Sequence, residues 1–367
     1  MSAFTRFLTS RWGPILTGTI IGILAPFLVR LGNPGNMGIC MVCFDRDIAG
    51  ALGLHRASLV QYIRPEIIGC LLGALVAALA FREFKPRTGS APFARFFLGM
   101  FAVFGALVFL GCPWRAYLRL AGGDWNAIFG ILGLIGGIGL GIVFLRMGFS
   151  LGRSRPSPIA TGWIMPAIMV TLLVLLIVAP QFGRDASGNI TGPIFFSEKG
   201  PGSQHAPWII AIVVGLVIGF LAQRSRFCTV GAIRDMVMMR DSHLLNGVGA
   251  LIVFAFITNL LLGQFHPGFE NQPVAQTNEW WNFGGMVLAG LAFTLAGGCP
   301  GRQLFLSGEG DGDAAIFVTG MIVGAGFAHN FTIASSTAGP GAFGSITVLV
   351  GLAVCIVLGL TMREVKT

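Results

Sequence analysis

The hydrophobic pattern of this chain consists of long apolar runs separated by short polar segments. A helix of about 20 apolar residues, rising 1.5 Å per residue, crosses about 30 Å of hydrocarbon. Runs of this kind occur near residues 13–31, 64–81, 95–111, 124–145, 159–180, 206–222, 244–263, 281–297, 312–334 and 343–362. The pattern therefore predicts an all-α polytopic membrane protein with about ten spans.

The composition excludes a water-soluble globular enzyme. Only 11% of the 367 residues are charged, 54% are hydrophobic, and the mean hydropathy is +0.79. An average soluble domain has about a quarter of its residues charged. The net charge of +9 could indicate nucleic-acid binding, but no Lys/Arg-rich stripe with interleaved aromatic residues occurs. We therefore expect the lipid bilayer as a partner and no nucleic acid.

Positive charge is distributed unevenly between the two sides of the predicted bundle. With ten spans both termini share one side, and alternation assigns most of the 24 Lys and Arg residues to it. Cytoplasmic loops of membrane proteins carry an excess of Lys and Arg. Both termini are therefore predicted to be cytoplasmic.

The two halves of the chain carry the same cysteine signature. Residues 40–47 (CMVCFDRD) align with 228–235 (CTVGAIRD), and 111–115 (GCPWR) align with 298–302 (GCPGR). Each half contains five predicted spans, and an odd number inverts the second copy relative to the first. The sequence thus predicts two five-span inverted repeats, 1–190 and 191–367, with a ligand site near the midplane between them.

The Gly-Cys-Pro turns predict short re-entrant helices that carry cysteines. Proline favours the first helical position, which places Cys112 and Cys299 at helix N-caps. There the unpaired N–H groups and the helix dipole favour an anion. Glycine before each cysteine allows close backbone approach. Together with Cys40 and Cys228, which enter from opposite sides, these thiols could form a file through the protein; the pathway candidates are Cys40, Cys112, Cys228, Cys299, Gly111, Gly298, Arg115 and Arg302.

Ionisable residues recur in register beside the cysteines. The pairs Arg46/Asp47 and Arg234/Asp235 either gate the path and attract an anion or form ion pairs that hold a short helix at the interface; the second interpretation is slightly favoured. Arg115 and Arg302 could each reach a bound anion or extend to the surface.

Two polar groups and two lone cysteines complete the candidates. His329 with Asn330 faces either a cavity or a neighbouring helix, and a hydrogen bond between helices is favoured. Glu309, Asp311 and Asp313 are interpreted as a solvated cytoplasmic turn. Cys70 and Cys355, each in mid-span without a companion, are interpreted as packing residues.

The motifs resemble those of a known family. QRSRFC at 223–228, GAIRD at 231–235 and AGGC at 296–299 resemble the YeeE/YedE sulphur-transport family of bacterial inner-membrane proteins, and are most similar to its YedE-type branch of selenium transporters. The resemblance implies an hourglass-like protein that takes up a small sulphur- or selenium-containing anion, such as a selenium compound or thiosulfate, without a cofactor or metal. It also implies a ligand path along Cys112, Cys228 and Cys299, and a sulphur-carrier protein at the cytoplasmic mouth.

This sequence departs from the family pattern in ways that leave alternatives open. Cys40 and Cys43 form a C-x-x-C pair in the first repeat, and proline follows both turn cysteines. The leading hypothesis is a transporter, not an enzyme. The alternative is a membrane thiol-disulfide oxidoreductase that uses Cys40 and Cys43. Metal transport is a weaker third hypothesis, because few His and carboxylate residues accompany the thiols.

Overall fold

A computed structural model describes residues 3–178 and 194–363, and nearly all of its regular structure is helical. The fifteen helices in the described ranges are α1 (Ala3–Thr9), α2 (Trp12–Arg30), α3 (Met41–Ala51), α4 (Pro65–Ala80), α5 (Pro92–Phe109), α6 (Pro113–Ala121), α7 (Asn126–Arg146), α8 (Ile159–Val178), α9 (Trp208–Ser225), α10 (Thr229–Met239), α11 (His243–Leu261), α12 (Glu279–Ala296), α13 (Pro300–Gly308), α14 (Gly312–Asn330) and α15 (Gly344–Thr361). Two short strands, β1 (Arg87–Thr88) and β2 (Arg155–Pro156), pair antiparallel.

The predicted all-α polytopic membrane fold is confirmed. Nine segments of the described part are long and apolar enough to cross a membrane. Helix α4 is apolar but has only 16 residues, and is thus about 24 Å long. A helix of this length spans a bilayer when the lipid thins locally. Each of the ten predicted apolar runs therefore corresponds to one helix.

Glycine brings helices of the two halves into backbone contact. A Cβ atom at Gly73 of α4 would lie 2.2 Å from the carbonyl oxygen of Leu216 in α9. A Cβ atom at Gly18 of α2 would lie 1.9 Å from the carbonyl oxygen of Gly247 in α11. Small residues allow this approach in membranes, where van der Waals packing drives helix association. Much of the bundle's cohesion therefore lies between the halves.

The order of long and short helices is the same in both halves. From α2 to α8 and again from α9 to α15, short helices occupy the second and fifth places. Contacts between the halves follow the same correspondence, because α4 packs on α9 while α2 packs on α11. The predicted boundary at 190/191 lies outside the described residues. The inverted repeat stays a prediction, which this matching order supports.

The interpretation of the acidic run before α14 as a solvated turn was wrong. Glu309 and Asp313 are 4% and 2% exposed. Asp313 accepts a hydrogen bond from the backbone N–H of Gly89 at 2.9 Å, and Asp311 pairs with Arg87 at 2.6 Å. Buried carboxylates need such partners. The run therefore anchors the segment that carries β1, on the face of the bundle where both termini lie (the terminal face).

Candidate functional site

A cysteine occupies the N-cap of each of the four short helices α3, α6, α10 and α13. The Sγ atom of Cys40 accepts from the backbone N–H of Cys43 at 3.3 Å, and that of Cys228 accepts from Gly231 at 3.2 Å. The Sγ atom of Cys299 accepts from Arg302 at 3.4 Å. Cys112 caps α6 with extended backbone geometry and proline next to it. The Gly-Cys-Pro motif predicts this position for two of the four cysteines, and the structure extends it to all four.

The thiols form two clusters. In the first thiol cluster (Cys40, Cys43, Cys112), Cys40 lies within hydrogen-bonding reach of both other thiols. In the second thiol cluster (Cys228, Cys299), the backbone N–H of Cys299 donates to the Sγ atom of Cys228 at 3.4 Å. All seven cysteines are buried free thiols. In the described ranges, no group of three His, Cys, Asp or Glu side chains could hold a metal ion.

Helix α6 connects the two thiol clusters. It begins after Cys112, and its Tyr117 lies close enough to Cys228 and Cys299 to interact electrostatically with both. Between these positions, the indole of Trp114 makes an edge-to-face contact with Phe227, with ring centroids 5.5 Å apart. The four short helices therefore bring their thiols together in the protein interior, and aromatic side chains of α6 separate the first cluster from the second.

Arg115 is a buried cation without a carboxylate partner among the described residues. Its side chain is completely buried, and its Nη1 lies 3.6 Å from the Sγ atom of Cys43. The guanidinium otherwise donates to backbone carbonyl groups, those of Asn36, Leu110, Pro273 and Val274. It does not extend to the surface. Carbonyl dipoles stabilise the charge without neutralising it, so that Arg115 keeps a net positive charge beside the first thiol cluster.

Arg302, which aligns with Arg115, has a different environment. Its Nη1 lies 3.1 Å from Glu309, and the same carboxylate pairs with Arg226 at 3.1 Å. Arg226 is itself half exposed on the terminal face. Among the described residues Arg302, unlike Arg115, therefore has a carboxylate partner, which it shares with Arg226.

Gly111 and Gly298 give space to arginine side chains. A Cβ atom at Gly111 would lie 3.2 Å from Cδ of Arg115, and one at Gly298 would lie 3.1 Å from Cγ of Arg302. Each arginine thus folds back over the glycine that precedes its own helix. Close approach of backbone to a ligand at these two positions stays a prediction.

The other two arginine/aspartate pairs form ion pairs. Arg46 lies 2.7 Å from Asp47, which is also 2.7 Å from Arg64, and all three side chains are buried. Arg234 lies 2.8 Å from Asp235 in a more exposed position. Arg64 additionally donates to the carbonyl groups of two residues before α9, Pro201 and Gln204. These contacts join α3 to the segment that leads into the second half.

A cavity of about 680 Å³ lies on the face opposite the termini. Its lining includes Arg46, Arg56, Leu110, Val274 and His329. Leu110 and Val274 have positive φ angles of 64° and 49°, a conformation that is rare for branched side chains. Their carbonyl groups bind Arg115, which contacts Cys43. The wall of this cavity, called the outer cavity because it lies opposite the terminal face, therefore contacts the first thiol cluster through Arg115.

Two contacts and the positions of two aromatic residues in the site could not be predicted from the sequence. The rings of His55 and His329 lie 4.6 Å apart, although 55 falls in a loop and 329 at a helix end. Asn330 donates to the carbonyl of Leu54 at 2.8 Å, rather than to another helix. Trp114 and Tyr117 are typical core residues by type, and only their positions between the clusters single them out.

The chain is similar to sulphur transporters, chiefly in its second half. The family model described as sulphur transport matches residues 224–363, which include α10, α13 and both cysteines of the second thiol cluster. The thiosulfate transporter TsuA of Spirochaeta thermophila is 30% identical over 99 residues, which cover 27% of this chain and 29% of that protein. TsuA of Escherichia coli is 31% identical over 107 residues, which cover 27% of this chain and 28% of that protein. The alignments thus span less than a third of either relative.

Proposed function

We propose that this chain, whose residues 224–363 match the sulphur-transport family model, carries a small sulphur- or selenium-containing anion across the bacterial inner membrane. Thiosulfate, the substrate in the names of the two relatives, and a selenium compound of similar charge are the two substrates to test. The proposed site is the path from the outer cavity through both thiol clusters.

One observation carries the proposal. Two sets of cysteine-capped short helices, one from each half, meet in the interior, and each set starts with N–H groups and the positive end of its helix dipole. Helix N-termini bind anions, and thiols are soft, polarisable donors for sulphur and selenium. The same arrangement from both sides supports an inverted repeat with its site at the centre.

In the proposed path, the anion contacts the two thiol clusters one after the other. An anion that leaves the outer cavity first meets Arg115 and the thiols of Cys40, Cys43 and Cys112. It then passes the aromatic side chains of α6 to reach Cys228 and Cys299. The ion pairs of Glu309 with Arg226 and Arg302 must open before it leaves on the terminal face, where we place the cytoplasm and a sulphur-carrier protein that accepts the anion.

A thiol-disulfide oxidoreductase is the weaker proposal. Cys40 and Cys43 lie within reach of each other, which favours a dithiol pair. Both are completely buried, however, at 0% exposure. Thiols that exchange with protein partners are partly exposed. The Cys40/Cys43 pair is therefore better placed to contact a small ligand than another protein.

Uptake into proteoliposomes tests the proposed function. The purified chain would be reconstituted and given radiolabelled thiosulfate, selenite or sulfate, with protein-free liposomes as the blank. We expect saturable uptake of thiosulfate or selenite and none of sulfate, which lacks a soft atom. The variants Cys112→Ala, Cys228→Ala and Cys299→Ala should each lower uptake at least tenfold, which corresponds to about 1.4 kcal/mol.

The matched control is Cys355→Ala, because Cys355 is buried in α15 away from both clusters. Full uptake by all three site variants would contradict the thiol path. No uptake of either soft anion by the wild-type protein would contradict the proposed function.

A further inference from the structure

The outer cavity has an excess of positive charge. Arg46 and Arg64 share a single carboxylate, that of Asp47, so this buried trio carries one net positive charge. Arg56 lines the cavity, is exposed, and lies over the ring of Phe195 at 4.1 Å. Two positive charges therefore face a concave site of a size that accepts a small ligand.

His329 places a titratable group in the same cavity. Its Nε2 atom is buried and has no hydrogen-bond partner among the described residues. The charged and titratable groups that act on its ring are Arg46 of α3 and His55 of the following loop. The neighbouring His55 has both nitrogens in use, since Nδ1 accepts from the N–H of Ala57 and Nε2 donates to the carbonyl of Arg46. His329 is thus the imidazole with a free nitrogen at this site.

We propose that the outer cavity binds its anion together with one proton, which His329 takes up on Nε2. Before the anion binds, an imidazolium at this position would repel the guanidinium of Arg46. A dianion held near Arg46 and Arg56 offsets that repulsion and stabilises the protonated imidazole electrostatically. The proton comes from the surrounding water, and no bond of the anion is broken. This inference rests on the proposed function and adds a proton to its transport step.

Proton-linked binding has a quantitative signature. If binding of one anion adds one proton, the observed affinity falls about tenfold per pH unit once the imidazole of the unliganded protein is neutral. By reciprocity, the bound anion raises the proton affinity of the imidazole by the same factor by which protonation raises the affinity for the anion. Binding that involves the guanidinium groups alone would show neither effect near neutral pH, because arginine stays protonated.

Titration calorimetry on the full chain in lipid nanodiscs tests the proposal, with sodium thiosulfate as the probe, because this dianion does not itself take up a proton near neutral pH. Measurement in two buffers of different ionisation enthalpy gives the number of protons bound per anion. We expect about one proton per anion in the wild-type protein near pH 7. His329→Gln should bind the anion with about zero protons and with an affinity that no longer depends on pH.

Two further variants locate the site and control for folding. Arg56→Gln should lower the affinity about tenfold, which corresponds to about 1.4 kcal/mol, and leave the proton count at one, because it removes a positive charge from the cavity and keeps the imidazole. His205→Gln is the matched control. His205 lies in an exposed position on the same face, stacked on Tyr62 at 4.3 Å, and does not line the cavity. It should leave both affinity and proton count unchanged.

The outcomes separate this inference from the proposed function. Anion binding by the wild-type protein without proton uptake overturns the inference, whereas uptake into proteoliposomes would still support transport. If His55→Gln binds the anion without a proton while His329→Gln still binds one proton per anion, the inference is also overturned. If thiosulfate does not bind and neither thiosulfate nor selenite enters proteoliposomes, the inference and the proposed function both fail.

Discussion

The indole of Trp114 lies directly against Gly301, the residue that occupies the equivalent position in the other half. A Cβ atom at Gly301 would lie 3.1 Å from Cζ2 and 3.3 Å from Nε1 of that indole. The two aligned segments thus differ, tryptophan in one and glycine in the other, at the point where they touch. The first half contributes the large indole ring, and the second half contributes the glycine that leaves room for it. This contact lies between the two thiol clusters.

A larger residue at Gly301 should therefore separate α6 from α13. We expect Gly301→Val to destabilise the protein by about 1–3 kcal/mol, the usual cost of overpacking a core, and to lower uptake. Trp114→Phe removes the three indole atoms nearest to Gly301, so the double variant should recover part of the loss. Thermal unfolding in detergent measures the coupling through a double-mutant cycle.

The control for this pair is Gly139→Val in α7, because a Cβ atom at Gly139 meets nothing within 4 Å. It should leave the melting temperature nearly unchanged. A loss in Gly301→Val no larger than in Gly139→Val would show that the contact with Trp114 does not restrict this position.

Serine substitutions should separate the capping role of the cysteines from their role in the path. A hydroxyl caps a helix as well as or better than a thiol, whereas alanine at an N-cap costs about 1 kcal/mol. Cys228→Ser and Cys299→Ser should thus keep the wild-type melting temperature while uptake of thiosulfate or selenite falls. Cys228→Ala and Cys299→Ala should lose both stability and uptake. Equal uptake by the serine variants and the wild-type protein would indicate that the thiols serve only as caps.

Arg115 and Arg119 should respond differently to the same substitution. Arg119 forms a buried ion pair with Asp124 at 2.6 Å, and Arg119→Met would leave that carboxylate buried without its partner, at a cost of about 3–5 kcal/mol. Arg119→Met combined with Asp124→Asn should recover much of it. Arg115→Met strands no carboxylate, so we expect a smaller loss of stability, about 1–3 kcal/mol for the unpaired carbonyl groups, and a large loss of uptake.

Unfolding curves for the three variants, together with uptake by those that fold, give the comparison. A stability loss in Arg115→Met as large as in Arg119→Met would mean that Arg115 is primarily a structural residue. Retained uptake in Arg115→Met would remove it from the path.

Protonation of Glu83 in acid should lower the folding stability of the protein at the terminal face. Partial burial raises the pKa of this carboxyl, but hydrogen bonds from Gln223 and Arg224 and the charge of Arg226 outweigh it, so that the net pKa lies below the usual value. Its stabilising effect is therefore complete above the unfolded-state pKa of about 4.3 and is lost as pH falls through the lower, folded-state value. Melting temperatures from pH 6 to pH 3 should fall less steeply in Glu83→Gln than in the wild-type protein. Parallel curves would contradict the assignment.

The apolar pattern predicted the fold well, because few backbone structures can span a bilayer. Backbone N–H and C=O groups in hydrocarbon must form hydrogen bonds within their own helix. A long apolar run such as 124–145 is therefore expected to be helical, and it forms α7. The Gly-Cys-Pro turns predicted α6 and α13 for a similarly local reason, since proline and an N-cap residue act on adjacent backbone. Local rules thus account for helices and for the N-cap cysteines.

The environment of each site residue could not be predicted in the same way. Arg115 and Arg302 follow the same motif, but carbonyl groups from distant loops surround Arg115, whereas Arg302 pairs with Glu309 in its own segment. The interpretation of the acidic run was wrong because glycine-spaced carboxylates are typical of solvated turns, whereas Asp313 is buried against the segment that carries β1. The contacts of Arg115 with Pro273 and of Asp313 with Gly89 join residues 158 and 224 positions apart, which no local pattern encodes.

The packing of α4 on α9 and of α2 on α11 has a consequence for how the protein is made. While the first half alone has left the ribosome, the glycine faces of α2 and α4 have only lipid beside them, and the second thiol cluster does not yet exist. Assembly must then wait for α9 and α11 to insert between helices already in the membrane. Two separately expressed halves should accordingly be degraded when produced alone and accumulate when produced together, because α9 and α11 complete the packing of helices made before them.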